Sequence, residues 1–422
     1  MHTAIKPSKR KRKTVTGLLL IGALLLAWPL FRMFEPVLTW SSGWLPLPEE
    51  LDQQTSHTDA GWTAIAAQAD AALAQSRKQL QAPALSAAIM VDGTRVWASA
   101  VGLADIAASR PVDLSSSFRV GSTSKVVNAL AMGRLIDAGK LDIDRSVRHY
   151  LLDLPPPYDG VTTRHAISHT AGIPDYSLCL CFPLWEHRSR RHFDGVRDAL
   201  QVFEDRPLLF APGEGFQYSS YGTNVSGAVI EAVAGKPYNR FVADAVLRPL
   251  QMTHSAADVA GADHPHRVAF YDITEGQYKP AYPINNSIRY PSGGLLSTPS
   301  DMLAVGNALL GDGLLSDATR HQLLTPQKLR DGSDNPQGYA LGIRVFDDKR
   351  IFGDTVTTAF YSHHGTAVGS TSYFAVYPEY GVVVSMMMNK GQENLDAMAV
   401  EAQRLVELFI AEQLRRENNS ST

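Results

Sequence analysis

The chain has 422 residues, 45% hydrophobic and 19% charged, enough apolar length to bury one large core or two smaller ones. A formal net charge of −3 gives no footing for a nucleic-acid partner. Only Cys179 and Cys181 are available as thiols, and bridging i to i+2 demands a strained ring, so a disulfide framework is excluded and the two read as free or packed.

The amino end is strongly basic: Lys6, Lys9, Arg10, Lys11, Arg12 and Lys13 precede the apolar run VTGLLLIGALLLAWPLF, Val15 to Phe31. A basic arm before roughly 17 apolar residues is either a signal peptide or a short membrane anchor. The run closes on Trp28, Pro29, Leu30, Phe31 and Arg32 without a small-x-small cleavage pattern, which favours the anchor. The positive-inside rule keeps the arm in the cytoplasm and sends the rest across. The expectation is a cytoplasmic arm over 1–13, a single-pass anchor over 14–32 in the inner membrane, and a periplasmic body.

Residues 33–58 are rich in Pro, Ser and Gln and lack periodicity, so they read as a linker. The predicted domain covers 59–416, with a polar tail at 417–422. It opens on GWTAIAAQADAALAQSRKQLQ, apolar at helical spacing. ALSAAIMVDGTRVWASAVGLAD follows as two strand-like runs joined by Asp92-Gly93, a strong hairpin sign. VVNALAMGRLIDAGKLD predicts a helix stopping near Gly139. Residues 155–290 mix short helices with Pro- and Gly-punctuated loops, an inserted and mostly helical subdomain. GSTSYFAVYPEYGVVVSMMMN (369–389) predicts a hairpin turning at Pro378 to Gly381, and a long amphipathic helix follows at about 393–416. The fold class is therefore α+β: an antiparallel sheet built from both ends of the chain, covered by helices, with the site in the cleft beside the insert.

The stretch FRVGSTSK puts Ser122 where an extended segment passes through Gly121 into a helix. Positions i and i+3 share a helix face, so the Lys125 ammonium can reach the Ser122 oxygen. A serine hydroxyl becomes a nucleophile when such a neighbour takes its proton, which a lysine does if burial or nearby cations favour its neutral form. The helix start adds free N–H groups beside a developing oxyanion. S-x-x-K alone is a weak sign, because Ser8 to Lys11 repeats it inside the basic arm, and Ser122 reads equally as a helix cap. Five further stretches accompany it: RHAISHTAGIPDY from Arg164, PGEGFQYSSYGTNVSGAVIE from Pro212, GGLLSTPSDM from Gly293, GYALGI from Gly338 and SHHGTAVGSTSYFAVYP from Ser362.

In this order, over about residues 60–412, these stretches resemble the penicillin-recognising serine hydrolases, in particular class C β-lactamases and their related esterases and peptidases. The resemblance implies a β-lactamase/transpeptidase-like fold with Ser122, Lys125 and Tyr218 as catalytic residues. Tyr218, near two positive groups, would act as a phenolate sharing the base role. His363, His364, Gly365 and Thr366 stand at the third motif. There the backbone N–H groups of Ser122 and Thr366 would form the oxyanion hole, and His363 would donate to a substrate carboxylate or to the leaving group. Gly365 would let the strand approach the substrate. Ser220 takes the place of the family's asparagine, as in the mitochondrial β-lactamase-like serine protease branch, which disfavours efficient penicillin hydrolysis.

The expected activity is that of a membrane-anchored serine hydrolase working through an acyl-enzyme, first a peptidase or amidase on envelope peptides. An esterase, a β-lactamase or a non-catalytic penicillin-binding-type receptor are the alternatives. Expected partners are a small peptide, ester or β-lactam-like substrate and the membrane, with self-association as a further option. No cofactor or metal is expected. Arg188, Arg190 and Arg191 in EHRSRRH read as a solvated loop, with an anionic substrate as the rarer alternative.

Overall fold

The strand ALSAAIMV sends alternate side chains to opposite faces, and every one of them is buried. Such a strand needs apolar cover on both sides. In the computed structural model, which describes residues 9–40, 43–48, 54–177, 185–391 and 394–420, that strand lies near the middle of an antiparallel sheet. Cys179 and Cys181 lie outside the described residues.

The elements that build the sheet and site are, in chain order, α1 (Lys9–Trp40), β1 (Gln54–Thr58), α2 (Thr63–Gln79), β2 (Ala84–Val91), β3 (Thr94–Asp105), α3 (Ser124–Asp137), α4 (Ser220–Ala234), α5 (Pro299–Leu310), β4 (Arg344–Ile351), β5 (Val356–Ala367), β6 (Ser370–Tyr377), β7 (Val382–Met388) and α6 (Leu395–Ser420). The sheet runs β4-β5-β6-β7-β2-β3-β1, with the short strand Arg110–Pro111 added beside β3. The two chain ends meet where β7 pairs with β2, Val384 opposite Ile89. Both expected hairpins form. Asp92 and Gly93 take φ of 48° and 77°, the double left-handed turn that matches strand twist.

One face of the sheet carries Ala88, Met90, Phe374, Val383 and Met387 into a core shared with α3, α4 and α5. The other carries Leu85, Ile89, Ala375, Val384 and Met386 against α2 and α6. There Trp62 and Trp97 pack their rings 5.6 and 5.8 Å from Phe409, and the Trp97 indole donates to Asp70 at 3.0 Å. Each fully buried Val, Leu or Ile adds about 1.5–3 kcal/mol, so this two-sided burial fixes the register of the central strands.

Two boundaries differ from expectation. Residues 33–58 are not an unstructured linker throughout: α1 runs on to Trp40, Leu45–Pro46 pairs with Gln277–Pro280, and β1 is an edge strand on β3. The sequence QTSHT hides that strand because it is polar on both faces; its hold comes from backbone pairing and from Gln54 donating to Ser99 at 2.9 Å. The insert, expected as mostly helical, also holds a short hairpin of Tyr271–Thr274 and Gln277–Pro280. The last helix extends into the expected polar tail, as far as Ser420.

The expected anchor falls in α1, whose described side chains from Leu18 to Phe31 include ten exposed large apolar groups, among them Leu19, Leu26 and Trp28. Among the described residues no helix is long and apolar enough to cross a membrane.

Candidate active site

Two glycines bring the FRVGSTSK turn and β5 into backbone contact. Gly121 has φ +52°, and a Cβ there would lie 2.5 Å from the Thr366 carbonyl oxygen. From the other side, a Cβ on Gly365 would lie 1.9 Å from the Val120 carbonyl oxygen and 2.4 Å from Ser372 Oγ. Hydroxyls on β6 fasten the contact: Ser370 donates to Arg119 O at 2.9 Å, Ser372 donates to Val120 O at 2.7 Å, and Ser372 lies 2.8 Å from Thr123 Oγ1. A single 3₁₀ turn, Gly121–Thr123, then leads into α3.

Ser122 does not cap that helix. The cap position belongs to Thr123, which makes no side-chain cap bond, and the Ser122 hydroxyl instead accepts from Lys125 Nζ at 3.0 Å. Lys125 is fully buried. Its ammonium also donates to Ser292 O at 2.9 Å and lies 3.4 Å from Ser220 Oγ. Among the described residues no carboxylate stands within 4.0 Å of it. A buried amine aimed at a serine oxygen, with no carboxylate of the described residues in ion-pair contact, has the geometry a general base requires.

Tyr218 joins the group through its ring, not through its hydroxyl. Lys125 Nζ sits 5.0 Å from the ring centroid and the Arg344 guanidinium 5.7 Å, so two cations flank the phenol. No hydrogen bond ties the Tyr218 hydroxyl to Ser122 or Lys125. Ser220 begins α4 behind the buried Ser219 cap and presents its hydroxyl to Lys125.

His363 departs from expectation. It is buried, and its Nδ1 lies 2.6 Å from the His364 carbonyl oxygen, which makes Nδ1 the donor. Nε2 is then the acceptor for the Tyr339 hydroxyl at 2.8 Å. Burial, reinforced by the charges of Arg344 and Lys125, holds it well below the usual histidine range. A neutral ring with both nitrogens engaged has no proton to offer a substrate, so the expected donor role is corrected. His364 points to the other face of the strand, stacks edge-on with Tyr373 at 5.0 Å, and is pushed down to about 4 by burial and then by Arg344.

Ser122, Tyr218, Arg344, His363, His364 and Thr366 line one cavity of about 620 Å³. Thr366 also borders a second, of about 1000 Å³, with Tyr176, Arg289 and Lys390. The structure thus gathers every expected site residue around one turn and one strand, with Gly365 in the contact itself and Ser220 behind Lys125. Of the arginines in EHRSRRH, Arg188 is buried against the Tyr282 ring at 5.7 Å, while Arg190 and Arg191 are exposed.

Sequence reasoning missed several supports. His169, at φ +65°, accepts from Ser219 N through Nδ1 at 3.2 Å, while its carbonyl accepts from Gln217 N at 2.9 Å. Its ring lies 4.3 Å from that of Tyr218, so it fixes the tyrosine's segment. Asp175 accepts from Ser220 N at 3.1 Å, and burial pushes its carboxyl up despite backbone donors and Lys125. Both residues sit in RHAISHTAGIPDY, the stretch that offered the sign. Ser292 and Arg344 fall just outside the quoted stretches.

The Beta-lactamase family matches this chain over residues 69–408. The chain belongs to that family. It is 26% identical to the human Serine beta-lactamase-like protein LACTB, mitochondrial, covering 77% of this chain and 76% of that one. It is 32% identical to Esterase EstB of Burkholderia gladioli over 48% of this chain and 53% of that one. Among solved structures, a penicillin-binding protein of Bacillus halodurans superposes with a TM-score of 0.64 at 26% identity, over 78% of this chain and 97% of that one. Members of the family are serine hydrolases, and the α+β fold with its antiparallel sheet is theirs.

Proposed function

We propose that Ser122 is the nucleophile of an acyl-transferring hydrolase. The observation that carries this reading is the buried Lys125 ammonium, 3.0 Å from Ser122 Oγ and lacking a carboxylate partner. In its neutral form Lys125 takes the hydroxyl proton as Oγ attacks a carbonyl carbon. The backbone N–H groups of Ser122 and Thr366 hold the resulting oxyanion. Lys125 passes the proton to the leaving group, the acyl-enzyme forms, and water releases the acid.

A peptidase or amidase on envelope peptides is the first choice of substrate class, in keeping with a serine at position 220. An ester substrate is the second, favoured by the likeness to an esterase over about half the chain. The basic arm and the exposed apolar residues of α1 support attachment of the domain to a membrane, with the catalytic domain on its outer side.

The test is the intact mass of the full chain after exposure to a fluorophosphonate, with Ser122→Ala beside it. A single adduct on the wild type, absent from the variant, is the expected result. No adduct on folded wild type, or an equal adduct on the variant, refutes the assignment.

A further inference from the structure

Arg190, exposed in EHRSRRH and bonded through its side chain to nothing among the described residues, is left unused by the hydrolase reading. It borders a cavity of about 470 Å³ that has no lining residue in common with the one holding Ser122 or with the larger one beside Thr366. Arg119 and Arg267 line the same cavity, and Asp258 is the one carboxylate among its described lining residues. Asn285, also in the wall, holds the segment before Arg190 in place by donating from its N–H to Ser189 O at 2.9 Å.

One carboxylate does not balance three guanidiniums, and this one is fully engaged. Asp258 Oδ2 accepts from Arg119 Nε at 2.7 Å and from Asn286 Nδ2 at 2.6 Å, and Oδ1 accepts from Arg267 Nη1 at 3.4 Å. Arg119 is only 8% exposed and is held fast: its guanidinium lies 4.1 Å from the Phe270 ring centroid, and Nη1 donates to Val368 O at 2.9 Å. Its Nη2 makes no hydrogen bond among the described residues, and neither do Nε and Nη2 of Arg267. Burial lowers Arg119 from its ordinary range, and the charges of Arg267 and Arg289 press the same way against Asp258.

Two positive charges are thus unmatched around one space, with open N–H groups on a buried, preset guanidinium. Planar forks of this kind suit the several oxygens of a phosphate, whose two negative charges supply what Asp258 lacks. The rest of the wall, Val268, Phe270, Pro283 and Ile284, is apolar, and the volume falls in the range of about 300–1,000 Å³ usual for small-molecule sites. We infer that this cavity binds a phosphate monoester, its head on Arg119, Arg190 and Arg267 and its organic part against Phe270, Pro283 and Ile284. The binding does not involve Ser122, so this inference and the hydrolase reading fail separately.

The experiment is isothermal titration of the full chain at about pH 8, where a phosphate monoester carries two charges, and at fixed ionic strength in chloride. The probes are inorganic phosphate, phenyl phosphate and dihexanoyl phosphatidic acid. At least one ester is expected to saturate with Kd below about 1 mM and to bind at least about tenfold tighter than inorganic phosphate, because the apolar wall adds to the charge. Tighter binding of phenyl phosphate names a soluble monoester as the ligand; tighter binding of the phosphatidate names a lipid headgroup. Arg190→Gln and Arg267→Gln each weaken binding at least about tenfold, while Arg344→Gln, in the Ser122 cavity, leaves it unchanged. Arg190 is exposed, so its variant keeps the fold and decides the matter should Arg267→Gln fail to fold. No saturation by either ester, esters no tighter than inorganic phosphate, wild-type binding in Arg190→Gln, or loss in Arg344→Gln overturns the inference.

Discussion

Gly365→Ala is the most exposing single change, because one methyl group lands in the contact between nucleophile turn and strand. The added Cβ would sit 1.9 Å from Val120 O, where an ordinary contact begins near 3.4 Å, so the two backbones must part by about 1.5 Å. Moving Ser372 Oγ aside gives no relief, since it is bonded to the same carbonyl and to Thr123. Overpacking of this kind costs about 1–3 kcal/mol, which the large two-sided core tolerates. The chemistry does not tolerate it, because Thr366 retreats from Ser122, and a displacement of about 1 Å costs roughly 100-fold. The assay is the rate of fluorophosphonate labelling, with circular dichroism and thermal melting as folding controls. Wild-type labelling by folded Gly365→Ala would refute the account of how turn and strand are coupled.

Lys125→Met should separate stability from activity. The thioether takes the lysine's buried place but accepts no proton, so the variant still unfolds cooperatively while labelling falls by about 10²–10⁴; labelling at the wild-type rate in the folded variant contradicts the base role. The pH dependence follows from the buried histidines. His187 and His364 stand at about 4 in the folded chain against an ordinary 6.5, so between those values the unfolded chain binds protons the folded one refuses. Stability is full above about pH 6.5 and falls as pH drops through that window, and His364→Gln should lessen the slope by up to about 1.4 kcal/mol per pH unit. Denaturant titrations from pH 7 to pH 4.5 measure it, and an unchanged or steeper slope in the variant refutes the shift.

Local pattern was enough for the hairpin at Asp92-Gly93, the helix after Ser122 and the last hairpin, because periodicity and turn chemistry are properties of short stretches. It was also enough to put Lys125 on the face of Ser122, since three residues of helix settle that by themselves. What lay beyond its reach were contacts between distant parts of the chain. The edge strand at 54–58 is polar and exists only because β3 offers unpaired backbone. The neutrality of His363 depends first on its burial and then on the charges of Arg344 and Lys125, which the fold brings to it from elsewhere in the chain. Whether Ser122 caps a helix or faces a buried amine was decided by Ser292, Ser220 and the close approach of Gly365. Sequence alone determined which residue types stand one helical turn apart. Tertiary packing alone determined which of them are dry, charged and paired, because burial and charge compensation are sums over neighbours that the chain brings together only when folded.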